Sequence, residues 1–205
     1  MLITGIKSKP VYAPLQPDLG GRYHLMVGHG VGGGPLSRVL HEFQPSDPTA
    51  AARTKVLYVT DAAAAAGDFG AQVRSAGVAD VRLFDRKEAL LTDFHAVLDN
   101  ALMGTRLYVA GPESFMGLVM RIALQFNLNK DEIRAEECGT LARRVHCIHC
   151  RAATESVRTN IIQCSGCGRW LIVRDHYSRR LAAYMGVMVD AEAPGELPPV
   201  KEVFL

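Results

Sequence analysis

Between residues 22 and 140 the hydrophobic positions follow two alternating patterns. Compact apolar runs predict five short strands, at residues 23–27, 55–60, 80–84, 106–110 and 133–136. Between them, apolar residues recur three or four positions apart, which predicts helices near residues 35–43, 69–75, 93–102 and 114–127. Strands that alternate with helices are typical of a parallel sheet covered on both faces. We therefore expect an α/β domain over residues 22–140, built on a five-stranded parallel sheet.

The pattern is different on both sides of this domain. Residues 1–21 contain several prolines and little periodicity, which predicts an extended N-terminal arm. Residues 191–205 are also rich in proline and are expected to form an extended tail. Residues 141–190 contain paired cysteines and are expected to form a second unit, which is too small to fold without a staple.

Charge is unevenly distributed along the chain. The 205 residues carry a formal charge of only +2, which does not indicate a polyanionic partner. Residues 143–180, however, contain eight arginines against Glu155 and Asp175, an excess of six positive charges. This basic run is either a solvated face or a docking surface for an acidic partner.

Two sequence features bear on the location of the protein. The first residues lack the apolar core of a secretory signal, and no apolar run approaches the length of a membrane span. We therefore expect a cytoplasmic protein that does not bind a membrane. Disulfides are rare in the cytoplasm, so paired cysteines there are metal ligands before they are bridges.

Four cysteines have the spacing of a metal site. Cys147 and Cys150 form one CxxC pair, and Cys164 and Cys167 form a second. Two such pairs can present four sulfurs to one ion in a closed tetrahedron. Only the second pair is accompanied by glycine, so half of the site is expected to have the ideal turn. The spacing predicts a zinc-ribbon-like module with structural Zn²⁺, although iron in a rubredoxin-like site fits the same ligands.

Three further residues lie close to these pairs in the sequence. Cys138 precedes them by nine residues, and its expected role is that of a buried bystander. His146 and His149 flank the first cysteines of the set and are expected to be solvated. The alternative for these histidines is an outer-sphere contact to the metal site.

A glycine cluster follows the first predicted strand, and Pro35 behind it fits the first turn of a helix. Such a loop can expose N–H groups and a helix N-terminus to a phosphate. By itself the signal is weak, because glycine also serves the turn. A glycine and a proline after the fourth predicted strand complete the candidate nucleotide site, which comprises Gly30, Gly32, Gly33, Gly34, Gly111 and Pro112.

Two motifs in this domain resemble those of a known family. HLMVGHGVGGGPLSRVL is similar to the strand–GGxGxxP–helix opening of the pyridine-nucleotide domain in ferredoxin reductase-like flavoproteins. RLYVAGPESFMGLVM is similar to the strand–CGP–helix motif of that domain, and DEIRAEEC resembles its closing strand. The resemblance covers residues 22–138 and implies a sheet of the ferredoxin-reductase nucleotide-binding type.

Some residues depart from that pattern. Gly34 replaces the threonine that usually precedes the loop proline, Ala110 replaces the cysteine beside the nicotinamide, and His29 interrupts the first glycine pair. The N-terminal arm is also too short to form a flavin-binding barrel. We expect a nucleotide site that has decayed into a docking scaffold, with a pocket lent to another subunit as the alternative. If NAD(P)H does bind, Asp61 after the second strand would favour ribose hydroxyls over a 2′-phosphate.

The pairing of this domain with a CxxC…CxxC module resembles the small, gamma-type subunit of bacterial dimethylamine monooxygenase. The most specific part of the resemblance is the segment from Cys147 to Trp170. It implies a subunit of a hetero-oligomeric, NADPH-dependent oxidoreductase that converts dimethylamine to methylamine and formaldehyde. Haem, FMN and a [2Fe–2S] cluster are then expected on partner subunits.

Three functions are compatible with these features. The favoured one is an accessory subunit without catalytic residues, whose arms wrap a neighbouring subunit. The second is an NAD(P)H-binding reductase component of an oxygenase. The third is a zinc-ribbon nucleic-acid-binding protein, which would need stacking aromatics beside the arginines. Trp170, Tyr177 and Tyr184 are apolar enough to belong to a core, so no nucleic-acid partner is expected.

Overall fold

A computed structural model describes residues 8–60, 69–78 and 80–205. Within these ranges the chain divides into two compact units. The first unit is Tyr12–Gly139, and the second combines the described residues up to Val11 with Thr140–Leu205. No helix in the described ranges is long and apolar enough to cross a membrane.

The first unit contains the predicted five-stranded parallel sheet, which confirms the fold class. The strands lie in the order β3-β2-β1-β4-β5, and every neighbouring pair is parallel. Short apolar runs form these strands because both faces of the sheet are covered and alternation with polar residues is not needed. Their bounds are β1 Tyr23–His29, β2 Thr54–Val59, β3 Asp80–Phe84, β4 Thr105–Gly111 and β5 Ile133–Glu137.

Helices cover both faces of this sheet. On one face, Met26 and Tyr58 belong to the same buried cluster as Leu36 of the first helix. On the other face, Leu25 packs in a cluster with Phe94 of the third helix. The helices are α1 Gly33–Phe43, α2 Phe69–Ser75, α3 Lys87–Asp99 and α4 Glu113–Ala123.

Two helices have bounds that differ from the predicted ones. The third helix begins at Lys87 and ends at Asp99, whereas residues 93–102 were expected. Its buried side chains include Leu90 and Leu98, while Leu102 is 59% exposed and lies outside the helix. The fourth helix ends at Ala123, short of the predicted residue 127. A 3-10 turn follows it, and Asn127 after this turn adopts a left-handed conformation.

The predicted boundary between an arm and the first domain also needs correction. Leu15 is only 2% exposed and belongs to the core beneath α1. Its N–H donates to the carboxylate of Glu136 at 2.6 Å, and Asp18 accepts from Arg106 at 3.0 Å. Arg134 also reaches Asp18, at 3.1 Å. Residues 12–21 are therefore built into the first unit, because burial and ion pairs tie them to its sheet.

A second five-stranded sheet forms most of the second unit. Its order is β7-β6-β10-β9-β8, in which β6 and β10 are parallel and the other pairs are antiparallel. The N-terminal segment joins this sheet, since the N–H of Ser8 donates to the carbonyl of Asp175 at 3.0 Å. The strands are β6 Arg143–Cys147, β7 Ala153–Val157, β8 Ile161–Gln163, β9 Trp170–Ser178 and β10 Ala183–Met188.

The C-terminal tail folds back onto this unit, so its last residues are not the free extended arm that was expected. The N–H of Val203 donates to the carbonyl of Arg158 at 2.9 Å. The guanidinium of Arg143 lies between two rings, 3.9 Å from the centroid of Tyr184 and 3.8 Å from that of Phe204. Arg143 also donates to Asp175 at 2.6 Å. A buried cation between two aromatic faces holds the tail in place.

Replacing Phe204 with alanine should therefore destabilise the second unit. We expect a loss of about 2 kcal/mol in the free energy of unfolding, below the value for a fully buried phenylalanine because Phe204 is half-buried. Urea unfolding followed by the fluorescence of Trp170, the single tryptophan, measures the loss in the same unit. The matched control is Val200→Ala, because Val200 is 54% exposed. Equal stability of the two variants would contradict the role of Phe204.

Candidate metal centre

The four cysteines lie on two turns with the same backbone hydrogen bonds. We call residues 147–152, between β6 and β7, the first knuckle, and residues 164–169, between β8 and β9, the second knuckle. In the first, the N–H of Cys147 donates to Ala152 at 2.9 Å, and the N–H of Arg151 donates back to Cys147 at 2.9 Å. In the second, the N–H of Cys164 donates to the carbonyl of Arg169 at 2.9 Å, and the N–H of Gly168 donates to the carbonyl of Cys164 at 3.0 Å. The two knuckles are equivalent in backbone geometry.

The expectation that only half of the site has the ideal turn is therefore wrong. The fifth residue of each knuckle has a positive φ, +66° at Arg151 and +72° at Gly168. Glycine adopts this conformation freely, whereas a side chain there costs about 1 kcal/mol. Arg151 thus takes the left-handed conformation that glycine takes in the second knuckle.

The knuckles bring four sulfur atoms together. All four Sγ atoms lie within 4.8 Å of one another, with Cys147 and Cys167 3.9 Å apart and Cys150 and Cys164 3.5 Å apart. A tetrahedral ion with Zn–S bonds of about 2.3 Å requires sulfurs about 3.8 Å apart. The spacing fits one metal ion in a closed four-thiolate site.

The surroundings of Cys164 and Cys167 favour their thiolate forms, whereas the neighbouring cysteines help to raise the pKa of the Cys150 thiol to about 11. The N–H of Gly166 donates to the sulfur of Cys164 at 3.4 Å. The backbone N–H of Arg169, followed by its guanidinium, lowers the pKa of Cys167 to about 6. Cys147 and Cys164 are buried and Cys150 is exposed. Because every ligand comes from the protein, an ion in this cluster would have no open position for substrate.

The candidate nucleotide residues occupy the carboxyl ends of β1 and β4. Gly30 and Gly32 form a 3-10 turn, and Gly33 and Gly34 open the first turn of α1. Gly111 ends β4, and Pro112 precedes α4. Asp61 lies outside the described residues, so its role toward ribose stays a prediction.

Packing within the chain accounts for the glycine at position 32. A Cβ atom there would lie 2.2 Å from the carbonyl oxygen of Ala110, so the turn can approach β4 only without a side chain. The side chain of Phe69 is also close to Gly33, since a Cβ atom at position 33 would lie 2.5 Å from the Cβ of Phe69. The hydroxyl of Tyr58 donates to the carbonyl of Gly30 and holds the turn. These glycines fit the packing of the turn without reference to a phosphate.

Comparison with known families covers both units. The family model described as dimethylamine monooxygenase subunit DmmA-like, N-terminal domain, matches residues 4–133. The model for the C-terminal domain of the same subunit matches residues 144–187, which include both knuckles.

This chain belongs to the dimethylamine monooxygenase subunit DmmA-like family.

A curated relative of this DmmA-like chain is the heme-dependent oxidative N-demethylase delta subunit of Ectopseudomonas mendocina (strain ymp). The two are 32% identical over 160 residues, which cover 73% of this chain and 88% of the relative. The family predicted from the sequence is confirmed, although this relative is named a delta subunit and a gamma-type subunit was expected.

Two solved structures show the likeness of the DmmA-like chain to known folds. A phthalate dioxygenase reductase has a TM-score of 0.46 at 16% identity, covering 69% of this chain and 46% of its own. The flavohaem-like FAD/NAD-binding domain of a nitric oxide dioxygenase from Vibrio cholerae has a TM-score of 0.39 at 20% identity, covering 58% and 52%. This chain thus spans about half the length of each.

Other residues near the cysteine pairs do not join the sulfur cluster. Cys138 belongs to the first unit, where burial raises the pKa of its thiol to about 11. His146 is half-buried in β6, and burial lowers its pKa, while His149 is exposed. The sequence analysis missed Arg151 and Arg169, although comparing the two knuckles position by position places Arg151 opposite Gly168.

Replacing Cys164 with serine should remove the metal and unfold the second unit, because binding energy in such sites is also folding energy. The matched control is Cys138→Ser, which also removes one thiol but leaves the four ligands intact. We expect one ion per chain in the wild type and in Cys138→Ser, and none in Cys164→Ser. Elemental analysis with circular dichroism checks this, and a metal-bound, folded Cys164→Ser variant would contradict the assignment.

Proposed function

We propose that this DmmA-like chain is an accessory, non-catalytic subunit of a dimethylamine monooxygenase. The complex would convert dimethylamine, O₂, NADPH and a proton to methylamine, formaldehyde, water and NADP⁺. Haem, FMN and a [2Fe–2S] cluster would be carried by partner subunits, and this chain would hold one structural Zn²⁺. Its role would be to hold partner subunits together.

The observation that carries this proposal is the closure of the sulfur cluster. Four cysteine sulfurs lie within 4.8 Å of one another, so a tetrahedral ion there would have a complete set of protein ligands. Catalytic zinc sites keep one position open for water or substrate, whereas structural sites do not. A metal in this cluster would shape the second unit and would not take part in oxygen chemistry.

The first unit supports the same conclusion. Its candidate phosphate loop packs tightly on β4, and Ala110 stands where the related reductases place a cysteine. Glycines that serve packing are retained whether or not a nucleotide binds. We infer that the reductase-like fold acts here as a scaffold, because a fold by itself does not establish an activity.

The name of the relative supports an assembly role. That protein is a subunit of a haem-dependent oxidative N-demethylase, and it matches this chain over 73% of the length. The dimethylamine substrate and the use of NADPH come from the family resemblance and are part of the proposal.

The alternative functions are separated by particular residues. A nucleic-acid-binding ribbon needs exposed aromatics, but Tyr177 and Tyr184 are buried and pack against each other at 5.1 Å. An NAD(P)H-binding reductase component needs a site that binds nucleotide in the isolated chain. Titration calorimetry that gives micromolar NADPH affinity for the purified chain would favour the reductase component over the scaffold.

Affinity purification of the tagged chain from cells grown on dimethylamine tests the assembly role. We expect the wild type and Cys138→Ser to retain subunits with haem and flavin absorbance, because both keep the metal ligands. Cys164→Ser should lose these subunits, because its second unit unfolds. Mass spectrometry identifies the partners. If the wild-type chain purifies alone, and the partner subunits are fully active without it, the proposed function is wrong.

A further inference from the structure

Several side chains within three residues of the sulfur ligands are exposed. We call this set the knuckle face, and it consists of Ile148, His149 and Arg151 from the first knuckle, Arg169 from the second, and Trp170, the first residue of β9. Ile148 is 44% exposed and Trp170 is 36% exposed. Residues 147–152 and 164–170 contain no acidic side chain. The surface is thus apolar and basic, and it presents the single tryptophan of the chain.

Arg151 stands out on this face because its backbone is strained. Its φ of +66° is the value that Gly168 adopts at the equivalent position of the second knuckle. Glycine at position 151 would form the same turn without strain. Arginine is strained at this position, whereas glycine would not be. The strain therefore indicates that the Arg151 side chain has a function.

The charge of Arg151 is available to a partner. Arg151 is exposed, and no described carboxylate lies within ion-pair distance of it. Glu155, the nearest acid in the sequence, accepts from Arg144 at 2.7 Å. Arg169, by contrast, donates to the sulfur of Cys167, so its charge offsets that of the thiolates.

We propose that the knuckle face is the surface through which this chain docks on an acidic, partly apolar patch of a partner subunit. Arg151 pairs there with a carboxylate, for which its planar fork is suited, while Trp170 and Ile148 form the apolar centre. Tryptophan and arginine dominate the energetics of such interfaces. A protein partner is favoured over a nucleic acid because Trp170 is the one aromatic side chain on this face. The inference rests on the proposed assembly role.

The Arg151→Gly variant separates docking from folding, because the two effects have opposite signs. Removal of the strained side chain should raise the urea midpoint of the isolated chain. The same change should weaken binding to the remaining subunits of the complex about tenfold, as expected for one interfacial arginine. Trp170→Ala should weaken binding to a similar extent. Biolayer interferometry with the immobilised chain and the purified remaining subunits measures both affinities.

The matched control is Arg179→Glu with Arg180→Glu, two exposed arginines on the turn between β9 and β10. The basic run of residues 143–180, which includes both arginines, predicts that this double variant weakens assembly. The knuckle face predicts instead that it binds as the wild type does. If Arg151→Gly binds normally, or if the control loses binding instead, the docking inference is wrong and the assembly role stands. If the wild type binds none of the subunits, the assembly role fails as well. Salt-sensitive DNA binding that Arg151→Gly abolishes would assign the face to nucleic acid and overturn the proposal.

Discussion

The convergence of four sulfur atoms on one point is the constraint on which the second unit depends. Cys147 ends β6 and Cys164 follows β8, and these strands are separated in the sheet by β10 and β9. The main core of the unit has five buried residues, Val145, Val157, Val173, Tyr177 and Tyr184. A core of this size rarely stabilises a unit by itself, and an ion that joined the ends of β6 and β8 would supply what burial lacks.

Two segments far apart in the sequence contribute to this unit. Ser8 bonds to β9 and Phe204 covers Arg143, so segments nearly two hundred residues apart pack on one sheet. The tail leaves less of the chain free for wrapping a neighbour than its proline content suggested. In the proposed complex, the contact with partner subunits is therefore assigned to the folded knuckle face.

Sequence patterns predicted the parts of the structure that local hydrophobicity decides. The parallel sheet could be predicted because its strands are short apolar runs, and the range of α2, Phe69–Ser75, was predicted correctly. The sulfur cluster could be predicted because ligand spacing is a local property. The start of α3 was missed although Leu90 lies four residues before Phe94 and already belongs to the same buried stripe.

Long-range contacts could not be predicted in this way. In the sequence, Leu15 is a single apolar residue among prolines. Its burial depends on α1 and on Glu136, which is more than a hundred residues away. The left-handed conformation of Arg151 was missed for a different reason, since arginine gives no local signal for it. The equivalence of the two knuckles becomes visible only when their hydrogen bonds are compared.

X-ray absorption at the metal edge of the purified wild-type chain tests whether the sulfur cluster closes around one ion. We expect one ion per chain with four sulfur ligands at about 2.3 Å and no oxygen or nitrogen in the coordination shell. An oxygen or nitrogen ligand would mean that the site has an open position. That result, or a folded second unit that contains no metal, would contradict the account.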